Sequence, residues 1–232
     1  MATIAGSVMA AYIGILQPHF PQVAGHILSA SLMSAPAAVV VAKIMIPETE
    51  TPLTAAKVQL SYEKQDVNFI DAAARGAIDG VHLAIYVAAM LIAFIALVAM
   101  VNAVFGLFGT SFEAIMGWMF APIAFLMGIP WKEAVQVGSL LGQKTVLNEF
   151  VAYLNLANGL ASGDLALSAR SVTIATYALC GFANFGSLGI MIAGIGGMAP
   201  SRRHDLARLG FLSIISGTLA AFLTATIAGV LV

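Results

Sequence analysis

Charge is what this sequence has least of. Only 9% of its 232 residues are Asp, Glu, Lys or Arg, while 60% are hydrophobic. A soluble domain carries about 25% charged residues, so the chain is expected to be an integral membrane protein. Neither sign dominates: the net charge is -1, which argues against a nucleic-acid partner or a basic lipid-binding tail. The single cysteine, Cys180, excludes an internal disulfide and any all-cysteine metal site. It lies in an apolar run and reads as a small buried hydrophobe. No Lys or Arg precedes Lys43, and there is neither a basic leader nor a cleavage site, so the start does not read as a signal peptide. G-x-S-x-G, H-E-x-x-H and the P-loop are missing too. No nucleophile and base pair is in view, and the chain is not expected to be an enzyme. His19, His26, His82 and His204 lack the spacing of metal ligands.

What is present is a succession of uncharged runs. Residues 1–17 are too short for a full crossing and read as the second half of a broken helix. Residues 27–46 make a full span with Pro36 inside it, and 83–107 make the clearest spanning helix, with Asn102 set for a helix–helix hydrogen bond. Residues 171–199 are apolar but interrupted by glycine, and 207–231 form the last helix, where Ser213, Gly217 and Ala221 offer a small-residue packing face. Between spans, 66–82 is amphipathic: Ile70, Ala74, Ala77, Ile78 and Val81 share one face, Asp71, Arg75 and Asp79 the other, as in a helix lying at the interface. Residues 111–157 hold a polar knot, Thr145, Asn148 and Glu149, between apolar arms, which reads as a re-entrant hairpin with Glu149 at its tip.

Basic residues set the orientation. Arg202, Arg203 and Arg208 are expected on the cytoplasmic side, which places the C-terminus outside; Lys57, Lys64 and Arg75 are expected to be cytoplasmic as well. Gly6-Ser7-Val8 and Gly186-Ser187-Leu188 each open an apolar half-helix followed by a loop and a span. The two units face opposite ways, the mark of inverted-repeat transporters. The expected fold is therefore an all-α membrane protein, an inverted-repeat core with broken helices and a re-entrant hairpin. Residues 1–65 would end the first repeat, and 66–232 would hold the interfacial helix and the second. The first unit has no hairpin before it, so the chain is expected to begin within a longer protein.

Glu149 is the costliest residue, since a carboxylate at membrane depth costs about 2.5–3.5 kcal/mol on insertion scales. Asn184 and Ser187 lie three apart and share a helix face beside Gly181, Gly186 and Gly189, with Phe182 near for stacking. A carboxylate, an amide and a hydroxyl together suit a polyhydroxyl group such as a sugar. Two plainer roles stay open for Glu149, a pair with Lys144 five residues earlier or a helix cap. For Asn184 and Ser187 the plainer role is close helix packing.

Several blocks sharpen this. They are Ala2-Thr3-Ile4-Ala5-Gly6-Ser7-Val8, Ser34-Ala35-Pro36, Pro47-Glu48-Thr49-Glu50, Asn68-Phe69-Ile70-Asp71, Gly142-Gln143-Lys144-Thr145-Val146-Leu147-Asn148-Glu149-Phe150 and Cys180-Gly181-Phe182-Ala183-Asn184-Phe185-Gly186-Ser187. In these the chain resembles the C-terminal half of the concentrative nucleoside transporters, along nearly its whole length. The resemblance implies a homotrimer in the cell membrane that moves nucleosides with sodium, or with protons in some bacterial members. It also implies roles: Glu149 with Asn184 and Ser187 on the ribose hydroxyls, Phe182 lining the pocket, Val8 beside the nucleobase, and Thr3 and Ile4 in the sodium site. The family's Gly-Gln-Thr-Glu hairpin is absent, and Tyr86 stands where Asn is expected in many members. The chain alone is thus expected to hold half a pocket and neither to transport nor to bind nucleoside tightly. A non-transporting scaffold or gate of the same fold is the alternative.

Overall fold

The computed structural model describes residues 1–49 and 66–232, apart from the side chains at 83, 86, 87, 90, 91, 94, 193, 194, 197 and 198. Lys57 and Lys64, Glu50 at the end of the first span's closing loop, and the side chain of Tyr86 lie outside that description. The described residues form α1 (Gly6–Leu16), α2 (Val23–Met45), α3 (Phe69–Gly106), α4 (Phe112–Leu126), α5 (Trp131–Val146), α6 (Glu149–Ser162), α7 (Ala169–Leu179), α8 (Phe185–Met198) and α9 (Arg203–Leu231), with one 3-10 turn before α9 and no strand. The fold is all-α. Among the described residues, two helices, α2 and α9 with its preceding turn, are long and apolar enough to cross a membrane.

α1 is the expected half-helix, preceded by non-helical residues 1–5. α2 carries Pro36 without interruption. The interfacial helix expected over 66–82 is not a separate element. It is the first part of α3, a single helix of 38 residues. Asn68 starts α3, its side-chain oxygen accepting from the backbone N–H groups of Ile70 and Asp71 at 2.9 Å each. Nothing then stops it before Gly106. Gly76 and Gly80 meet no neighbour, and no proline intervenes. At about 1.5 Å per residue the helix is about 57 Å long, well beyond the roughly 30 Å hydrocarbon core of a bilayer. Asn102, at its far end, makes the expected inter-helix bonds. It donates to the Glu113 carboxylate at 3.0 and 3.1 Å and accepts from the Phe112 N–H at 2.6 Å.

α4 and α5 are a tight bent pair, turned by 118°. Gly128, at φ 98°, makes the turn in a backbone region that other residues rarely adopt. The pair closes tightly because Gly117 and Gly138 present no side chain: a Cβ on Gly138 would lie 2.5 Å from the Gly117 carbonyl oxygen. Arg170 clamps the turn from the start of α7, donating to the carbonyl oxygens of Gly128 at 2.8 Å and Gly229 at 2.6 Å. A first turn therefore lies at residues 127–130. A second lies at Leu147 and Asn148, where α5 and α6 fold back side by side with Asn155 Nδ2 donating to Gln143 Oε1 at 2.7 Å. Glu149, the first residue of α6, sits at the tip of this α5–α6 hairpin. The Asn148 side chain accepts from the Val151 N–H at 2.9 Å and so starts a new helix there.

The glycine-interrupted run is α7, a break over 180–184, and α8. On α9, Gly217 and Ala221 are buried and Ser213 is half-buried. A Cβ on Gly217 would lie 2.8 Å from that of Met1, so α9 packs against the start of the chain. Tyr12, Leu16, Ile27, Leu156 and Ile174 centre one apolar core that joins α1, α2, α6 and α7.

Candidate functional site

Two broken segments cross at the centre of the fold. A Cβ on Gly181 would lie 2.9 Å from the Ala2 carbonyl oxygen, so only a glycine lets residues 1–5 pass this close to the break over 180–184. Three helices begin around the crossing: α1 after Ala5, α6 after Asn148 and α8 after Asn184. Their first residues line one cavity of about 660 Å³. Ser7 and Val8 come from α1, Glu149 and Phe150 from α6, Gly186 and Ser187 from α8. Helix N-termini carry partial positive charge and free N–H groups. Their convergence explains how a carboxylate is tolerated here.

Glu149 is only 4% exposed. Tyr12 donates its hydroxyl proton to Glu149 Oε1 at 2.7 Å, and Asn184 Nδ2 donates to Oε2 at 2.9 Å. Asn184 also caps α8, its Oδ1 accepting from the Ser187 N–H at 2.8 Å. That second bond fixes which way the amide points. Tyr12 is held in turn by stacking on Tyr153, with ring centroids 4.5 Å apart. The carboxylate thus has its orientation set by two donors while one edge of it still faces the cavity. Lys144 is a nearby charge of opposite sign but not a direct ion-pair partner. Lys144 Nζ donates to the Ala178 carbonyl oxygen at 2.8 Å, and no ion pair between the two appears among the described residues.

Glu149, Asn184, Ser187, Phe182 and Val8 all line the cavity. Thr3 and Ile4 do not. Ile4 is buried in the apolar core, and Thr3 Oγ1 lies 2.7 Å from Ser34 Oγ on α2. Ser34 spends its own proton on the Ser31 carbonyl oxygen at 2.7 Å, so Thr3 is the donor between them and keeps its lone pairs. Sequence reasoning missed Tyr12. Its signal was its place four residues after Val8, which puts both on one face of α1.

A family model described as Na+ dependent nucleoside transporter C-terminus matches residues 26–229. The chain belongs to the concentrative nucleoside transporter family. Among curated relatives of these transporters, solute carrier family 28 member 3 of Homo sapiens is 43% identical over 252 residues, covering 99% of this chain and 35% of the relative. Nucleoside permease NupC of Helicobacter pylori is 39% identical over 242 residues, covering 100% of this chain and 56% of the relative. The solved structure of the transporter CNTnw in an inward-facing substrate-bound state superposes with a TM-score of 0.84 at 42% identity, over 98% of this chain and 54% of that one. The chain spans between about a third and just over half of the length of the curated relatives it matches. As in other members of the family, its apolar helices make it a membrane protein.

Proposed function

We propose that these residues form the sugar-facing wall of an ion-coupled nucleoside symporter. Glu149 would accept from ribose hydroxyls, with Asn184 and Ser187 beside it, Phe182 against the ring and Val8 toward the base. The observation that carries this reading is the Glu149 carboxylate, buried yet bordering the cavity and held by Tyr12 and Asn184. A cavity of this size falls within the roughly 300–1,000 Å³ of small-molecule sites. The part of the relatives beyond the match would supply the rest of the pocket. The coupling ion would be sodium, or else a proton. Sodium is supported by the family description and by the hydroxyl oxygen of Thr3 near Ser34, with Ile4 placing that segment. A homotrimer in the cell membrane, with Arg202, Arg203 and Arg208 in the cytoplasm and the C-terminus outside, completes the proposal.

The test is Glu149→Gln in a transporter of full family length, with radiolabelled uridine as the probe. Glutamine keeps the shape but sets an NH2 group against the donor of Tyr12 or of Asn184, and Asn184 cannot flip without giving up its cap on Ser187. Uridine affinity should fall by at least about tenfold, or about 1.4 kcal/mol. Unchanged affinity in the variant would show that the carboxylate does not hold the sugar.

A further inference from the structure

The proposed function leaves one buried charge unused. Lys144 is 1% exposed and has no carboxylate within ion-pairing distance among the described residues. A buried ammonium is rare; Glu149 acts on this one as a charge from beyond ion-pairing distance, and the hydrogen bond that holds it goes elsewhere. It meets the end of α7. That helix stops at Leu179, so the carbonyls of its last turn have no partner within the helix.

Three of those carbonyls are provided for one by one. Tyr153 donates to Thr176 O at 2.6 Å, the Cys180 N–H bonds Tyr177 O at 3.1 Å, and Lys144 donates to Ala178 O at 2.8 Å. The C-terminal pole of a helix carries partial negative charge and is stabilised by a cation. In transporters with broken helices, unwound carbonyls and half-helix C-termini commonly coordinate a diffusible ion. Here the position is filled by a side chain.

The placement is specific to the break. Lys144 and Glu149 flank the α5–α6 break at Leu147 and Asn148, and they address the two sides of the α7–α8 break over 180–184. Lys144 holds the negative pole of α7, and Glu149 takes a bond from Asn184, which caps the positive pole of α8. We infer that Lys144 is a resident cation at this break, covalently filling a place that would otherwise take a small monovalent ion, and that it positions the Cys180-to-Asn184 segment against Glu149. The break over 180–184 then needs no diffusible ion, whatever ion binds elsewhere.

The experiment uses the full chain purified in detergent, with the native protein and the variants Lys144→Ala, Lys144→Met and Lys144→Arg. Thermal midpoints are measured in choline chloride, in sodium chloride and in methylammonium chloride, and bound 22Na+ is counted per chain. No nucleoside enters the readout, so the result stands apart from the fate of the sugar-site proposal. Alanine should lower the midpoint by about 5 °C or more, and methylammonium should restore it where choline does not. The alanine variant should also bind one 22Na+ per chain more than the native protein. Methionine should lower the midpoint without rescue, because its side chain fills the vacated space. Arginine should retain most of the stability. An alanine variant that accumulates only when methylammonium is present supports the inference. The inference is overturned if methylammonium rescues nothing in the alanine variant, or if methionine is as stable as lysine.

Discussion

The two broken segments that cross at Gly181 are built from similar sequence, yet they are finished in different ways. Gly6-Ser7-Val8 opens α1 and Gly186-Ser187-Leu188 lies in the first turn of α8. Before α8, Asn184 supplies a side-chain cap, a bond to Glu149 and a fixed orientation, while Lys144 holds the opposing helix end. Before α1, the capping position is Ala5, which has no side chain able to cap, and the nearby polar pair is Thr3 with Ser34. The second break thus carries its charges on its own side chains. The first offers oxygen atoms and no charge. A broken helix whose charges are built in is a fixed wall, whereas one that offers only oxygens is suited to a cation that comes and goes.

The largest test of this contrast is Glu149→Ala. It strips the second break of its acceptor and leaves the Tyr12 hydroxyl and the Asn184 amide as buried donors, each at a cost of about 1–3 kcal/mol. In a transporter of full family length, uridine affinity should fall by about 100-fold or more, read by equilibrium binding of labelled uridine. Tyr12→Phe removes one bond to a charged group, worth about 1.5–3 kcal/mol. It should cost roughly tenfold in affinity while leaving helix content unchanged by circular dichroism. An affinity equal to that of native protein would mean that Tyr12 does not orient the carboxylate. Gly181→Ala acts on the crossing itself. The new Cβ would press on the Ala2 carbonyl oxygen, an overpacking cost of about 1–3 kcal/mol. Gly6→Ala, whose Cβ would meet nothing, is its control. A midpoint several degrees lower for the first and unmoved for the second is the expected result; equal midpoints would place the crossing elsewhere.

Much of the wall was legible in the sequence because cost marks it. A carboxylate in an apolar run has to hold something, and Asn184 with Ser187 beside clustered glycines announces a helix break. Other features carried no such mark. Tyr12 meets Glu149 across 137 positions, and a tyrosine in an apolar half-helix is as much at home in a core. A pair with Lys144 was one plainer role open to Glu149; the helix ends between the two, and Lys144 Nζ donates instead to the Ala178 carbonyl oxygen. The polar cluster around Glu149 marks the tip of the α5–α6 hairpin, and Gly128-Ile129-Pro130 marks a second turn before it. The amphipathic pattern of 66–82 was read as a separate helix because composition changes near residue 83. A change of composition does not stop a helix; a missing hydrogen bond, a proline or a competing cap does.

The smallest expected effect probes the first break. Ser34 accepts a hydrogen bond from the Thr3 hydroxyl and donates its own to the Ser31 carbonyl oxygen, so Ser34→Ala removes the group that fixes the Thr3 hydroxyl. A neutral hydrogen bond is worth about 0.5–1.5 kcal/mol net, or roughly two- to tenfold in an equilibrium. If the oxygens of this break serve a diffusible cation, that factor should appear in the sodium concentration for half-maximal uridine binding, with uridine affinity at saturating sodium within about twofold of native. The same loss appearing in uridine affinity at saturating sodium would instead tie Thr3 to the sugar wall. The two breaks would then be one site, and the division of labour between built-in charge and borrowed ion would fail at its simpler end.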